Sequence, residues 1–526
     1  MNLYSEKLHD RIYIICLTVF AIVLPLSNFI TTVNLVLIVV NWIIGGSFRK
    51  KMKVLSERKG ILIFLLLFVI HLIWLFNTND FNYAFNDIKV KLPLFFLPLV
   101  VGTSVSLDFN DIRRVIYALT VGCIVASMVS IWYYTGLSGK VIYDTRDISV
   151  FMSHIRFSLI INFSFFALLY LALKKNTGLP QREKLFVIIA ALWLFIFLFI
   201  LKSFTGFFVL FFTGFMIILI LTSKQKSRII QLLLLLLLLA IPMIPGLYLK
   251  NRLDDFYETE ITEDLSKLDS LTDEGNVYLR EINPYRIENG HYVDIYLCED
   301  EMRPAWNKRS KLDYDGKDLN SGDLKFTLIR YLTSLGLKKD GVSVRSLSEQ
   351  DIKNVENGVA NYKYPDPLSL NARVYQVIWQ IDAYMRGGSP DGHSITQRLE
   401  YLKASRNIIY TNFWIGVGTG DLKIAFKTEY EKMGSSLKEK FRLRAHNQFV
   451  TFWIAFGLIG FLICIFALMA PVVTERKYKD YFFLVFIVIA ILSMLNEDTL
   501  EGQAGVAFFS YLYSIFVFGK KDNHRL

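Results

Sequence analysis

His446 and Asn447 stand where a long polar stretch gives way to an apolar run, and Gly457 and Gly460 follow inside that run. A neutral imidazole at a membrane surface can take the proton of a hydroxyl as that hydroxyl attacks. The plainer alternative is a histidine that caps or packs at a helix entry. Arg398 falls in the first turns of an expected helix, within Ser394–Tyr401. Its planar guanidinium matches phosphate oxygens two at a time; otherwise it is a surface arginine paired with a nearby glutamate. Arg442 and Arg444 precede His446. They raise the positive potential there or touch anionic headgroups. Arg156 and Lys202 each sit at the end of an apolar run. Each faces a polar cavity or snorkels to headgroups.

Between Asn412 and Asp421 lie three glycines at alternate positions, Gly416, Gly418 and Gly420. Glycine permits positive φ or close backbone approach. The stretch lacks the lysine and spacing of a phosphate loop, so a tight helix connection is the preferred reading. No spacing of His, Cys, Asp or Glu suggests a metal site or cofactor, and the four cysteines suggest no disulfide.

These residues need elements to hold them. The chain has 526 residues, 53% of them hydrophobic. Apolar windows near ~20 residues recur, as in a polytopic membrane protein. We expect an all-α fold of about twelve transmembrane helices. The spans are placed near 12–29, 31–46, 61–76, 91–106, 115–135, 155–173, 185–201, 203–222, 229–249, 447–471, 480–496 and 503–519. The first run reads as a signal-anchor helix rather than a cleaved signal peptide.

The formal charge of +11 does not point to nucleic acid. Lysines and arginines cluster in alternate short connections, as the positive-inside rule requires. That alternation puts both termini in the cytoplasm and the segment 250–446 on the outer side. The chain therefore divides into a membrane domain over residues 1–249, an extracytoplasmic loop over 250–446 and a second membrane domain over 447–526. Within the loop, 268–365 reads as a small α+β insert, with Asn289-Gly290 as a hairpin turn and Ser348 as a helix start. Residues 366–446 read as helices near 369–386, 394–410 and 421–432. No span carries paired charges near its centre, which argues against a proton-coupled transporter.

With these residues assembled, the chain resembles the O-antigen ligase and O-antigen polymerase superfamily. His446-Asn447, nine residues, then Gly457-Leu458-Ile459-Gly460 matches the ligase pattern of His, a small polar residue, nine residues and GxxG. Arg398 followed by a helix and Gly416-Val417-Gly418-Thr419-Gly420 resembles the family's Arg…GVGxG stretch. The layout of spans and one large outer loop also agrees. The resemblance implies a metal-independent, inverting glycosyltransferase with no cofactor, in the bacterial inner membrane. Its donor would be an undecaprenyl diphosphate-linked glycan. Its acceptor would be lipid A-core, a growing glycan or a protein, and membrane lipids surround it. His446 would be the base or acceptor-orienting residue and Arg398 the diphosphate contact. Arg156, Lys202, Asn447 and Arg444 would assist in substrate binding. One departure is Lys202-Ser203-Phe204-Thr205-Gly206, where Phe204 holds a position that is often arginine in the family. Ligase, polymerase and protein O-glycosyltransferase share this architecture, and the spacing leans toward ligase. A flippase for the same lipid-linked glycan is the non-enzymatic alternative.

Overall fold

The structure, a computed structural model, describes residues 3–139, 148–174, 179–257, 268–279, 286–365 and 369–521. The helices of the first half are α1 (Leu3–Val23), α2 (Asn28–Ile44), α3 (Phe48–Glu57), α4 (Lys59–Ile73), α5 (Phe81–Thr103), α6 (Phe109–Tyr134), α7 (His154–Leu173), α8 (Gln181–Leu201) and α9 (Phe204–Lys224). There follow α10 (Arg228–Tyr257), a hairpin of β1 (Ile287–Glu288) and β2 (His291–Tyr292), then α11 (Glu299–Arg309), α12 (Leu324–Ser334), α13 (Gly341–Ser346) and α14 (Glu349–Glu356). The chain continues through α15 (Leu370–Met385), α16 (Ser394–Thr411), α17 (Leu422–Lys432), α18 (Gln448–Thr474), α19 (Tyr481–Asn496) and α20 (Gln503–Tyr513).

Among the described residues, seven helices are long and apolar enough to cross a membrane, or eight if the bent pair α2–α3 is one span. The seven are α4 with its short extension to Asn77, α6, α7, α8, α9, α10 and α18. The expected spans near 12–29 and 91–106 fall on α1 and α5. α1 opens with the charged stretch Glu6 to Arg11, and α5 carries Asp87, Lys89 and Lys91 up to its midpoint, which shortens their apolar length. Those near 480–496 and 503–519 fall on shorter apolar helices.

The chain divides into two compact units, one of residues 1–217, 401–435 and 442–526, the other of residues 218–400 and 436–441. In the first unit, α20 is apolar on every side and buried on every side, as such a helix must be. Phe509, Tyr511 and Tyr513 are fully buried, and Tyr513 packs on Phe64 of α4 at 4.3 Å between ring centroids. The phenolic hydroxyls of Tyr511 and Tyr513 donate to the Leu17 and Leu468 carbonyls. Each aromatic ring is thus buried without leaving its polar end unpaired.

The second unit joins α10 to the insert. The Asn289-Gly290 turn has both residues at positive φ, as a type I′ hairpin requires, and pairs Ile287 with Tyr292. The alternating stretch to Leu297 does not extend the strand. Tyr296 turns to φ +52° and Leu297 makes only isolated bridges. Helices α11, α12, α13 and α14 therefore supply most of the insert's core, around Met302, Trp306, Leu328, Val344 and Val355. Ser348 and Asp351 close the start of α14 with a reciprocal capping box.

One break in the first unit positions everything near His446. α18 is interrupted at Gly457, which has φ +62° and ψ −172°, a region that only glycine visits without strain. The glycine-rich turn docks into the gap. Val417 N–H donates to the Ile454 carbonyl and Gly418 N–H to the Ala455 carbonyl, each at 2.9 Å. In return Leu458 N–H donates to the Phe413 carbonyl at 2.8 Å. Backbone groups freed within apolar surroundings must be satisfied by neighbours, and this turn does it. A Cβ on Gly457 would lie 2.2 Å from the Trp414 carbonyl carbon. The far side of the turn is tied to the link between α4 and α5. Trp74 donates to the Ile415 carbonyl at 2.6 Å, and Asn77 to that of Gly416 at 2.9 Å. The Asp421 carboxylate accepts from Asn79 N–H, Asp80 N–H and the Asn79 amide. The turn is therefore a backbone lock, in line with the tight-connection reading.

Candidate functional site

Asn447 is the N-cap of α18. Its side-chain oxygen accepts from Phe449 N–H at 3.0 Å and Val450 N–H at 3.1 Å, and its amide donates to the Leu495 carbonyl at 3.0 Å. A cap of this kind satisfies the free donors of a helix start. The helix then runs from Gln448 to the break at Gly457, so the spacing in the sequence is the length of one capped half-helix.

Capping leaves the preceding residue to turn sharply. His446 has φ +48°, a left-handed conformation uncommon outside glycine. Its ring is held on two sides. Nδ1 lies 3.1 Å from Glu497 Oε2. The buried Tyr401 ring stacks on it at 5.6 Å with an interplanar angle of 25°. An ionised carboxylate only accepts, so this contact places a proton on Nδ1, and in the neutral imidazole Nε2 is then the accepting nitrogen.

Glu497 opens a short acidic loop before α20, and the loop gathers further side chains. Asp498 accepts from Thr451 Oγ1 at 2.7 Å and Asn447 N–H at 3.2 Å. Burial pushes the Asp498 carboxyl up, against the pull of Arg444. Glu501 accepts from Gln448 at 3.0 Å and pairs with Arg444 and with Lys91, both at 3.2 Å. Burial alone would raise the Glu501 carboxyl, but the Lys91 and Arg444 cations outweigh it and hold it well below the usual range. Lys91 also pairs with Asp87 one turn earlier. Lys91 is buried midway along α5, and two carboxylates meet it there. A buried cation persists only when paired.

Arg156 reaches the same loop from α7. Its guanidinium lies against Gly502, where a Cβ would come within 2.6 Å of Nη2. It is within electrostatic reach of Glu497 and Asp498. Among the described residues its guanidinium takes no hydrogen bond. Lys202 is exposed at the turn from α8 to α9. That turn packs on α7 one helical turn beyond Arg156, through Ser203 and Ser158 at 3.2 Å and Asn162 and the Gly206 carbonyl at 3.1 Å. Phe204 beside it is 79% exposed. Arg398 is half-buried on α16, three residues before Tyr401, and belongs to the second unit.

The loop from Glu497 to Gly502 thus brings His446, Asn447, Arg444 and Arg156 together within the first unit. Lys202 is not among the residues that this loop gathers, and Arg398 is described with the second unit. Composition and spacing do not single out Glu497, Glu501, Tyr401 or Lys91. The available signal was an acidic connection, Glu497, Asp498 and Glu501, on the same expected side as the histidine. Chemically, the arrangement offers an oriented imidazole with a free lone pair, and beside it an arginine whose guanidinium makes no hydrogen bond among the described residues.

Residues 352–465 match the family model described as O-antigen ligase. The match likens this segment to the O-antigen ligase superfamily, and the chain carries several helices long and apolar enough to cross a membrane. The matched segment takes in Arg398, the glycine-rich turn, His446 and the break in α18. No curated protein matches the chain.

Proposed function

We propose that this protein transfers a glycan from undecaprenyl diphosphate to an acceptor hydroxyl at the outer face of the bacterial inner membrane. The family match supports glycan transfer of the O-antigen ligase type. The observation that carries the mechanism is the Glu497–His446 contact at 3.1 Å. The Glu497 carboxylate holds the imidazole with Nε2 unprotonated. Nε2 takes the proton of the acceptor hydroxyl as its oxygen forms a bond to the anomeric carbon. The bond from that carbon to the diphosphate breaks on the opposite face, so the configuration inverts. The departing diphosphate gathers charge, and donors aimed at that charge lower the barrier. Arg156 supplies such donors from α7, against the loop beside His446. On the family resemblance alone, Arg398 and Lys202 are further phosphate-binding residues, with no metal required. Arg444 and Asn447 act by fixing the loop and the helix start.

In this reading both termini are cytoplasmic and the segment 250–446 is periplasmic. The acceptor is the lipid A-core, as in an O-antigen ligase. The test is chemical analysis of surface glycans in a deletion strain, with and without the gene restored. Loss of long glycan from lipid A, with free lipid-linked glycan accumulating, supports the ligase. Shortened chains still joined to lipid A indicate a polymerase, and loss of glycoprotein alone indicates a protein glycosyltransferase. Unchanged glycans on every acceptor overturn the proposal.

A further inference from the structure

The second unit contains a cleft of about 570 Å³, inside the ~300–1,000 Å³ range of small-molecule sites. Its walls are the last turns of α10, the β-hairpin turn and one face of α15. α10 is long and apolar enough to cross a membrane, and its apolar run ends at Leu249, just before the residues that line the cleft. Nothing in the transfer mechanism uses it.

Its lining has two characters. One wall is aromatic. Tyr375 is buried, with Tyr364 at 4.6 Å and Phe256 at 5.7 Å between centroids. Tyr257 stands at the rim, 56% exposed. The other wall is charged, with Arg252, Arg386 and Lys363 set against Asp255 and Asp382. Arg386 pairs with Asp382 at 2.9 Å, Arg252 pairs with Asp255 at 3.0 Å, and the Tyr257 hydroxyl bonds to Asp382. A sugar would be accepted, because its hydroxyls both donate and accept. Guanidinium and carboxylate groups fixed in pairs offer both partners at once, and the aromatic wall suits the C–H face of a pyranose.

We propose that this cleft is a saccharide-binding subsite for a short segment of glycan. The inference rests on the proposed glycan transfer for the source of its ligand, which is either the donor glycan or the acceptor glycan. Both present the same hydroxyl-rich chemistry.

The experiment uses the full-length protein in lipid nanodiscs. The probe is oligosaccharide of one to three repeat units, released by mild acid from the surface glycan of the strain that encodes the chain. Binding is measured by saturation-transfer NMR and titration. Wild type binds saturably, and Tyr257→Ala or Arg386→Ala weakens binding about tenfold or more. Both side chains are at the exposed rim, so folding is little affected, and Arg386→Lys serves as the milder variant. In transfer assays the same variants raise KM and leave kcat near wild type. A rise for the lipid-linked donor assigns the cleft to the donor glycan, and a rise for the acceptor assigns it to the acceptor. His446→Ala separates the two proposals, because it retains oligosaccharide binding whatever its transfer rate. Absent binding by wild type, or binding unchanged in both rim variants, overturns the subsite.

Discussion

Glu497 Oε2 lies 3.1 Å from His446 Nδ1, across 51 residues of sequence. The contact joins the loop before α20 to the entry of α18 and fixes which imidazole nitrogen is free. Glu497→Gln keeps the shape and removes the charge that stabilises the proton on Nδ1. We expect turnover to fall by roughly 10²-fold or more, within the scale of proton-transfer catalysis, while the donor KM stays near wild type. Steady-state kinetics in nanodiscs read this. A change in KM alone, with kcat intact, contradicts an orienting role for Glu497.

Among the described residues, the Arg156 guanidinium makes no hydrogen bond beside that loop. Arg156→Ala should reduce kcat/KM for the lipid-linked donor by on the order of 10²–10³, the scale of losing one charge-stabilising donor. Arg156→Lys should restore little, since an ammonium does not reproduce the guanidinium fork. Equal activity in the lysine variant would argue against paired contacts to the diphosphate.

The break in α18 is a stability element. Gly457→Ala places a methyl against the Trp414 backbone and forces alanine into a conformation it avoids. The backbone cost alone is about 1–3 kcal/mol, and the clash adds to it. A lowered melting temperature of the detergent-solubilised protein checks this, and an unchanged one contradicts the lock.

Glu501 gives a pH signature. Its folded-state carboxyl is held below its ordinary value. The stabilisation is therefore present above the ordinary glutamate value of about 4.3. It is lost as pH falls below that toward the folded value. Asp498, with its carboxyl pushed up, works in the opposite sense, so the comparison must be with a Glu501 variant. Glu501→Gln leaves Arg444 and Lys91 without that carboxylate and should cost about 3–5 kcal/mol at neutral pH. The difference between wild type and variant in thermal unfolding should narrow steadily below pH ~4.3. A constant difference across that range contradicts the ion-pair account.

Much of this arrangement is legible in the sequence, and the limits are physical. Asn447 reads as a helix-entry residue because capping is local. The helices Leu370–Met385, Ser394–Thr411 and Leu422–Lys432 follow from local pattern as well. The glycine spacing is visible, but its cause is not. Gly457 is required by a turn docked from a distant stretch of the chain, and no local rule reports that. Glu497, Glu501 and Lys91 are hidden for the same reason. Apart from Asp87, one turn before Lys91, their partners lie between 51 and 410 residues away along the chain, and ion pairs at that range depend on how helices assemble. The strand pattern past Tyr292 misleads because alternation also suits a turn that buries Val293 and Ile295, and tertiary packing decides the matter.

The central claim is that His446 is the base. The most direct measurement is single-turnover glycan transfer by purified His446→Ala in nanodiscs, with lipid-linked donor saturating. The account predicts a rate reduced by on the order of 10²–10⁴, with donor binding retained. Transfer at the wild-type rate would contradict it.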